Sequence, residues 1–259
     1  MNIWIQRSME YANNDSYLDD LFAIYPTIPG DIRPIGEDNW NSIKSAFEKR
    51  DDFELIRQLL RLELFPIKDS YIAYLRRDNN AIYRNPATIS RICSRLYEMG
   101  LDKIYENSSR PIETNRQIGP MFSNWLGSGN LGLTPVLSDE FLNSDADAIL
   151  SGTDTNKSQF AREYLNYNGG GGLDFVARIN RQMIIGETKF LTDFGGHQAN
   201  QFFAAMRLLE SSADAIKIAI LDGIIYIPGN NRMHQTMITE YQNRNIMSAL
   251  LLHEFIGAL

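Results

Sequence analysis

Apolar residues recur at three- and four-residue intervals through much of the first half of the chain. Trp40, Ile43 and Phe47 form one such series, and residues 53–60 continue it up to Pro66. Spacing of this kind places apolar side chains on one face of a helix. The segment is therefore predicted to fold as amphipathic helices.

A second helical pattern begins at Asn85-Pro86, the usual order of an N-cap and a first helical residue. Gly100 follows the last apolar position and is predicted to end this helix. A short helix is expected before it, at 70–77. The pair is similar to a helix-turn-helix unit, although such helix pairs are also common in domains that bind no nucleic acid.

The pattern changes to strands after four consecutive glycines at 169–172. Residues 173–179 and 183–191 are rich in β-branched and aromatic side chains and are separated by Asn180-Arg181. Two such runs around a two-residue turn predict a β-hairpin.

The remaining segments supply the other predicted helices and strands. Residues 127–155, rich in Gly, Ser, Asn and Asp, are interpreted as a connector. Helices are expected at 114–126, 158–166, after 195–196 and at 236–255, and a second strand pair at 216–221 and 224–227, turning at Asp222-Gly223. The result is an α/β core at 131–259 in which helices cover a sheet, preceded by a helical region at 1–130.

Composition narrows the class of protein. The chain has 259 residues, 44% of them hydrophobic, which is enough for one large domain with a helical appendage. Cys93 is the one cysteine, so neither an internal disulfide nor a cysteine zinc cluster can form, and a reducing, cytoplasmic compartment fits. The longest apolar stretch, within 216–227, is too short and too interrupted to span a membrane.

The net charge of −7 by itself argues against binding to nucleic acid, because phosphate binding requires clustered Lys and Arg. The distribution of charge changes this interpretation. Residues 80–117 carry six basic and four acidic side chains, and residues 168–207 carry four and three. An acidic chain can still present a basic cleft.

The candidate chemistry lies on the predicted hairpin. Glu187 and Lys189 share one face of their strand, because side chains alternate along a strand. A turn at 180–181 pairs residues whose numbers sum to about 361, so Asp174 lies opposite position 187. Two carboxylates, with the carbonyl of Thr188, suit Mg²⁺, which activates water for phosphodiester hydrolysis.

Two points about these residues stay open. Lys189 can orient the attacking water, help to deprotonate it or neutralise the transition state. The alternative for the whole cluster is a structural ion pair. The apolar flanks, residues 183–185 and 190–191, favour a buried strand, in which charges need a partner or a metal.

The series Leu173-Asp174, then Glu187-Thr188-Lys189 after a hairpin-length gap, resembles the PD-(D/E)xK nucleases, with Leu173 in place of the usual proline. The resemblance covers about residues 156–227. It implies a type II restriction endonuclease with a mixed sheet flanked by helices, Mg²⁺ as cofactor and double-stranded DNA as substrate. It also implies 5′-phosphate and 3′-hydroxyl products and a homodimer that cuts both strands. The helical region at 1–130 would then serve DNA recognition, dimerisation or both.

The resemblance also suggests an acid on the helix before the hairpin, for which Glu163 is the candidate. An exposed helical glutamate is the alternative. Several polar residues are candidates for DNA contacts, each with a solvated or capping role as the alternative. They are Arg84, Arg91, Arg95, Arg110, Asn115, Arg116, Gln117, His197 and Gln198.

Two alternative functions stay open. A repair, recombination or junction nuclease would have the same fold. A DNA-binding protein without activity would use residues 70–126. The apolar last helix, with Ile246, Leu250, Leu251 and Phe255, is a second candidate for a dimer interface.

Overall fold

A computed structural model describes residues 1–13, 16–26, 32–111 and 117–259. The chain divides into two compact units. Met1–Thr27 together with Thr114–Leu259 form the sheet unit, and Ile28–Glu113 form the helical unit.

In the described ranges, the first half of the chain is helical, and the second half contains both helices and strands. The helices are α1 (Ile3–Ala12), α2 (Tyr17–Ile24), α3 (Glu37–Glu48), α4 (Asp52–Leu60), α5 (Ile72–Arg77), α6 (Ala81–Arg84), α7 (Pro86–Met99), α8 (Leu101–Ser108), α9 (Ile118–Gly127), α10 (Ser138–Leu142), α11 (Asp154–Tyr164), α12 (Gly196–Glu210), α13 (Arg232–Thr239) and α14 (Leu252–Gly257). The strands are β1 (Thr134–Val136), β2 (Ala148–Leu150), β3 (Phe175–Ile179), β4 (Gln182–Leu191), β5 (Ile216–Gly223) and β6 (Ile246–Met247).

The helical unit contains α3 to α8, and the helices predicted at 40–60, 70–77 and 85–100 are confirmed. Its core is built from apolar side chains at helical spacing, among them Leu55, Leu59 and Ile92. Helix α7 begins at Pro86 and ends before Gly100, whose φ of +80° suits glycine.

The sheet unit is a mixed sheet flanked by helices, as predicted. Within the described residues, the strand order is β1-β2-β3-β4-β5-β6, with β2-β3 and β3-β4 antiparallel and the other pairs parallel. Val176 and Ile185 pack with Phe160 of α11 and Leu208 of α12 on one face. On the other face Phe190 contacts Tyr25, the residue that follows α2.

The predicted boundary at residue 130 differs from the division in the structure. Residues of α1, α2 and α9 belong to the core of the sheet unit, as Ile5, Leu21 and Phe122 illustrate. Their apolar faces are buried in the same core as the strands.

Two predictions about loops and turns are wrong. Residues 127–155 are not only a connector, since they contain β1, α10 and β2. Asp222-Gly223 does not turn the chain, because β5 runs through to Gly223 beside Leu191 and a 3-10 turn follows at Ile224–Tyr226. A Cβ at Gly223 would lie 2.2 Å from the Leu191 carbonyl oxygen, so this glycine permits close strand packing.

The prediction of one long C-terminal helix is also wrong. The segment is divided into α13, β6 and α14, because Ile246 and Met247 pair with β5. The side chains proposed for a dimer interface pack in or against the core of the unit itself, namely Ile246, Leu250, Leu251 and Phe255. Among the helices of the described residues, none is both long and apolar enough to cross a membrane.

A fully buried carboxylate joins distant elements of the sheet unit. Asp222 accepts hydrogen bonds from Tyr25 Oη at 2.8 Å, Tyr17 Oη at 3.4 Å, the Ser248 hydroxyl and the Ala249 amide. Burial raises the pKa of Asp222 to about 7, although these hydrogen bonds act in the opposite direction.

Asp222→Asn is expected to remove a pH-dependent part of the stability. Between pH 3.8 and about 7 the folded protein keeps a proton on Asp222 that the unfolded chain has lost. The contribution of Asp222 is therefore greatest below pH 3.8 and declines as the pH rises to about 7, by at most about 4 kcal/mol. Urea unfolding across this range measures the difference between wild type and variant. Tyr25→Phe keeps the carboxyl group and should retain the slope; equal slopes for wild type and Asp222→Asn would contradict the assignment.

Candidate active site

The β3–β4 hairpin brings together the predicted carboxylates. Phe175 pairs with Gly186 and Ile179 with Gln182, which confirms the predicted register. The turn residues Asn180 and Arg181 have φ values of +47° and +65°, as a type I′ turn requires. Asp174 immediately precedes β3, and its amide donates to the Gly186 carbonyl at 3.0 Å.

Lys189 lies between the two acids. Its Nζ is 2.8 Å from Glu187 Oε1 and 3.7 Å from Asp174 Oδ2. The side chains of Asp174, Glu187 and Lys189 are 12%, 13% and 22% exposed. The structure thus places the three residues in one shielded cluster on the sheet face that α11 and α12 cover.

The cluster carries more negative than positive charge. Burial raises the pKa of both Asp174 and Glu187, and the neighbouring Lys189 only partly offsets this. Burial by itself would lower the pKa of Lys189. The carboxylates of Asp174 and Glu187 together raise it by more, so the pKa lies above its usual value. With two acids and one base ionised, the net charge is −1, which favours a bound cation.

The Thr188 backbone adds an oxygen to this set. Its amide donates to Asp174 Oδ2 at 2.7 Å. Because the N–H and C=O of one strand residue point to the same side, the Thr188 carbonyl faces the edge where β3 has ended. The described residues contain no group of three His, Cys, Asp or Glu able to hold a metal. Two carboxylates, a carbonyl and water are nevertheless a donor set that fits a hard divalent ion such as Mg²⁺.

Lys157 is a residue that the sequence interpretation missed. It lies on α11, is 3% exposed, and donates from Nζ to the Asp174 carbonyl at 2.8 Å. Burial lowers its pKa, while Asp154 and Asp174 act to raise it. The sequence did contain a sign of this role. Lys157 precedes Phe160 and Ala161 by three and four residues, which places this lysine on the apolar face of its helix.

Lys157→Met is expected to reduce DNA cleavage by about 10- to 100-fold, because the backbone of Asp174 loses the donor that positions it. DNA binding in Ca²⁺ and the melting temperature, followed by circular dichroism, should change little. Lys217→Met is the matched control, because Lys217 also donates to a backbone carbonyl, but to that of Ser211 rather than to that of a carboxylate residue. Wild-type cleavage by Lys157→Met would contradict the positioning role.

Glu163 is not brought to this cluster. It is exposed on α11 and accepts a hydrogen bond from Gln159 at 2.8 Å. The buried face of the helix carries Lys157, Phe160 and Ala161 instead. The catalytic role suggested for Glu163 therefore gains no support from its position.

The two candidates near the start of α12 differ in exposure. His197 is exposed, and its Nε2 lies 3.1 Å from the Gln201 amide. Gln198 is buried, and its amide group bonds to the Thr192 hydroxyl at 3.2 Å. His197 thus faces solvent, whereas Gln198 is engaged in holding the loop before α12.

The arginines proposed for DNA contact in the helical unit are exposed but have acidic partners. Arg84 pairs with Asp78, Arg91 with Asp69 at 2.7 Å, and Arg95 with Glu98 at 3.5 Å. The other candidates are more varied: Arg110 donates to Asn107, Gln117 precedes α9, and Asn115 and Arg116 lie outside the described residues.

Comparison with known protein families identifies the family of the whole chain. The sequence profile of the Tsp45I type II restriction enzyme family matches residues 2–259 and so includes the hairpin and both units. Comparison with curated proteins and with solved structures gives no match. Type II restriction enzymes are site-specific endonucleases that act on DNA and generally use a divalent metal. The chain belongs to the Tsp45I type II restriction enzyme family.

Proposed function

We propose that this enzyme hydrolyses double-stranded DNA at a specific site with Mg²⁺, leaving 5′-phosphate and 3′-hydroxyl ends. One observation carries the proposal. The Lys189 ammonium lies 2.8 Å and 3.7 Å from two shielded carboxylates, Glu187 and Asp174, on a single hairpin. Members of this family cut DNA, and this is the described cluster whose chemistry suits phosphodiester hydrolysis.

Asp174, Glu187 and the Thr188 carbonyl would hold the ion. Bound Mg²⁺ supplies a water of lowered pKa and stabilises negative charge on the phosphate. Lys189 assists the attacking water: Nζ donates to Glu187 and keeps N–H groups for the water or for a phosphate oxygen. Lys157 holds the Asp174 backbone from the side of α11.

The helical unit is proposed to contact DNA. Arg61 bonds to Gln58 Oε1, and Arg76 bonds to the Leu62 and Glu63 carbonyls. In the part of the chain that the structure describes, neither guanidinium group is hydrogen-bonded to an acid, so both keep their positive charge for a DNA phosphate. The ion pair of Arg84 is solvent-exposed and can exchange its carboxylate for a DNA phosphate at little cost.

A homodimer is proposed because cutting both strands of a symmetric site is simplest with two-fold symmetry. The cytoplasmic location expected from the sequence stays a prediction.

Digestion of phage DNA with Mg²⁺, followed by sequencing of the ends, tests the proposal. Discrete fragments with one common end sequence, 5′-phosphates and loss of cutting in EDTA are expected. A smear, or preference for branched DNA, would favour a repair or junction nuclease. Wild-type protein that binds DNA and never cuts it would favour the non-catalytic alternative.

A further inference from the structure

A pocket of about 290 Å³ lies in the sheet unit beside the proposed metal ligands. Glu187 forms one wall, and Tyr167 and the loop Gly169–Gly171 form another. Arg207 of α12 also lines the pocket and is its one basic side chain among the lining residues. We call this the Arg207 pocket.

The Arg207 pocket is rich in hydrogen-bond donors without partners. Among the described residues, the Arg207 guanidinium makes no hydrogen bond or ion pair, and its charge acts on Glu187 from a distance. In the same part of the structure, the N–H groups of residues 169–172 donate no hydrogen bond. Several unpaired donors around one cavity indicate an anionic ligand.

The conformation of the glycine loop is held through its carbonyl groups. The Ser158 hydroxyl donates to the Gly171 carbonyl at 2.8 Å, and Arg162 donates to the carbonyls of Gly169 and Gly171. The loop is therefore anchored to α11 by its acceptors, which leaves its N–H groups for a ligand.

Side chains would obstruct part of this loop. A Cβ at Gly169 would lie 2.1 Å from Tyr167 Oη, and one at Gly172 would lie 2.8 Å from the Asp154 Cβ. Gly170 and Gly171 face open space. A loop of this composition lets a bulky anion approach the backbone closely.

We propose that the Arg207 pocket binds a DNA phosphate adjacent to the scissile one, with the Arg207 guanidinium and the N–H groups of the glycine loop as ligands. The inference rests on the proposed nuclease function and names a substrate contact within it. A phosphate fits because guanidinium groups and backbone N–H groups both donate to its oxygens. The negative charge of Glu187 repels the phosphate until a bound cation offsets this charge. DNA and metal should therefore each strengthen the binding of the other.

Arg207→Gln tests the inference by DNA binding alone. The probe is a fluorescent duplex that contains the mapped recognition site, titrated at several salt concentrations in Ca²⁺. Loss of one phosphate contact should lower the slope of log K against log salt by about 0.9 and weaken binding about tenfold. Arg207→Lys should restore most of the slope, because it keeps the charge. Arg181→Gln is the matched control, since Arg181 lies at the hairpin turn, at the far end of the strands from Glu187.

A neutral methylphosphonate next to the scissile phosphate provides the second arm. The substitution should reduce kcat/KM of wild type about tenfold and have a clearly smaller additional effect on Arg207→Gln, because the Arg207 contact that it removes is already missing and only the contacts to the loop N–H groups remain to be weakened. An unchanged salt slope for Arg207→Gln, or equal sensitivity of both proteins to the methylphosphonate, would overturn the inference.

Failure of the nuclease proposal has a different signature. Wild type would then fail to cut unmodified DNA in Mg²⁺, whatever the binding data show. The salt slopes of wild type and Arg207→Gln, then measured on a fluorescent duplex of random sequence, would still decide whether this pocket contacts a phosphate.

Discussion

Asp174→Asn is expected to abolish Mg²⁺-dependent cleavage, with a loss of about 10³-fold or more, since metal-assisted charge stabilisation is worth several kcal/mol. The substitution leaves the pair of Lys189 and Glu187 with a net charge of zero, so the attraction for a divalent ion is lost. Initial cleavage rates and calorimetric titration with Mg²⁺ measure the two effects.

The fold should tolerate this substitution. Burial raises the pKa of Asp174, so a neutral amide is no worse in this environment, and its oxygen can still accept from the Thr188 amide. Asp193→Asn, an exposed aspartate shortly after β4, is the matched control and should cut like wild type. Cleavage near the wild-type rate by Asp174→Asn would remove this residue from the metal site.

Lys189→Met is expected to slow cleavage by about 10²- to 10⁴-fold, the range for groups that act on the attacking water. In contrast to Asp174→Asn, it should preserve or strengthen metal binding, because the charge of the cluster changes from −1 to −2. Single-turnover cleavage with saturating Mg²⁺ and calorimetric titration with Ca²⁺ measure the contrast. DNA binding in Ca²⁺ should persist.

Lys217→Met again serves as the control, because Lys217 lies on the neighbouring strand β5. If Lys189→Met lost metal binding together with cleavage, Lys189 would act by shaping the carboxylates rather than on the water. If Lys189→Met cut at the wild-type rate, as the control Lys217→Met should, the cluster would be a structural ion pair.

Local sequence was sufficient to predict the hairpin that carries the site. Asp174 and Glu187 are separated by a dozen residues, with a turn signal midway, so register follows from counting outward from Asn180-Arg181. Helix α7 was equally predictable, because its apolar positions repeat over several turns and its ends carry Pro86 and Gly100.

Elements that depend on distant partners were mispredicted. Strand β6 is two residues long and exists because Ile246 and Met247 pair with β5. Asp222-Gly223 has the composition of a hairpin turn, but Tyr17 and Tyr25, about 200 positions earlier, hold it at a strand end. Parallel pairing and buried hydrogen bonds of this kind leave no short-range pattern.

The sequence by itself determined that two acids and a lysine would meet on one face of a hairpin, because strand alternation and a tight turn act within a few residues. Only the tertiary structure decided what surrounds them: Lys157 under the backbone of Asp174, and Arg207 with the glycine loop beside Glu187. Those neighbours come from helices whose placement follows from burial of apolar faces across the whole sheet, a choice that no local pattern of residues encodes.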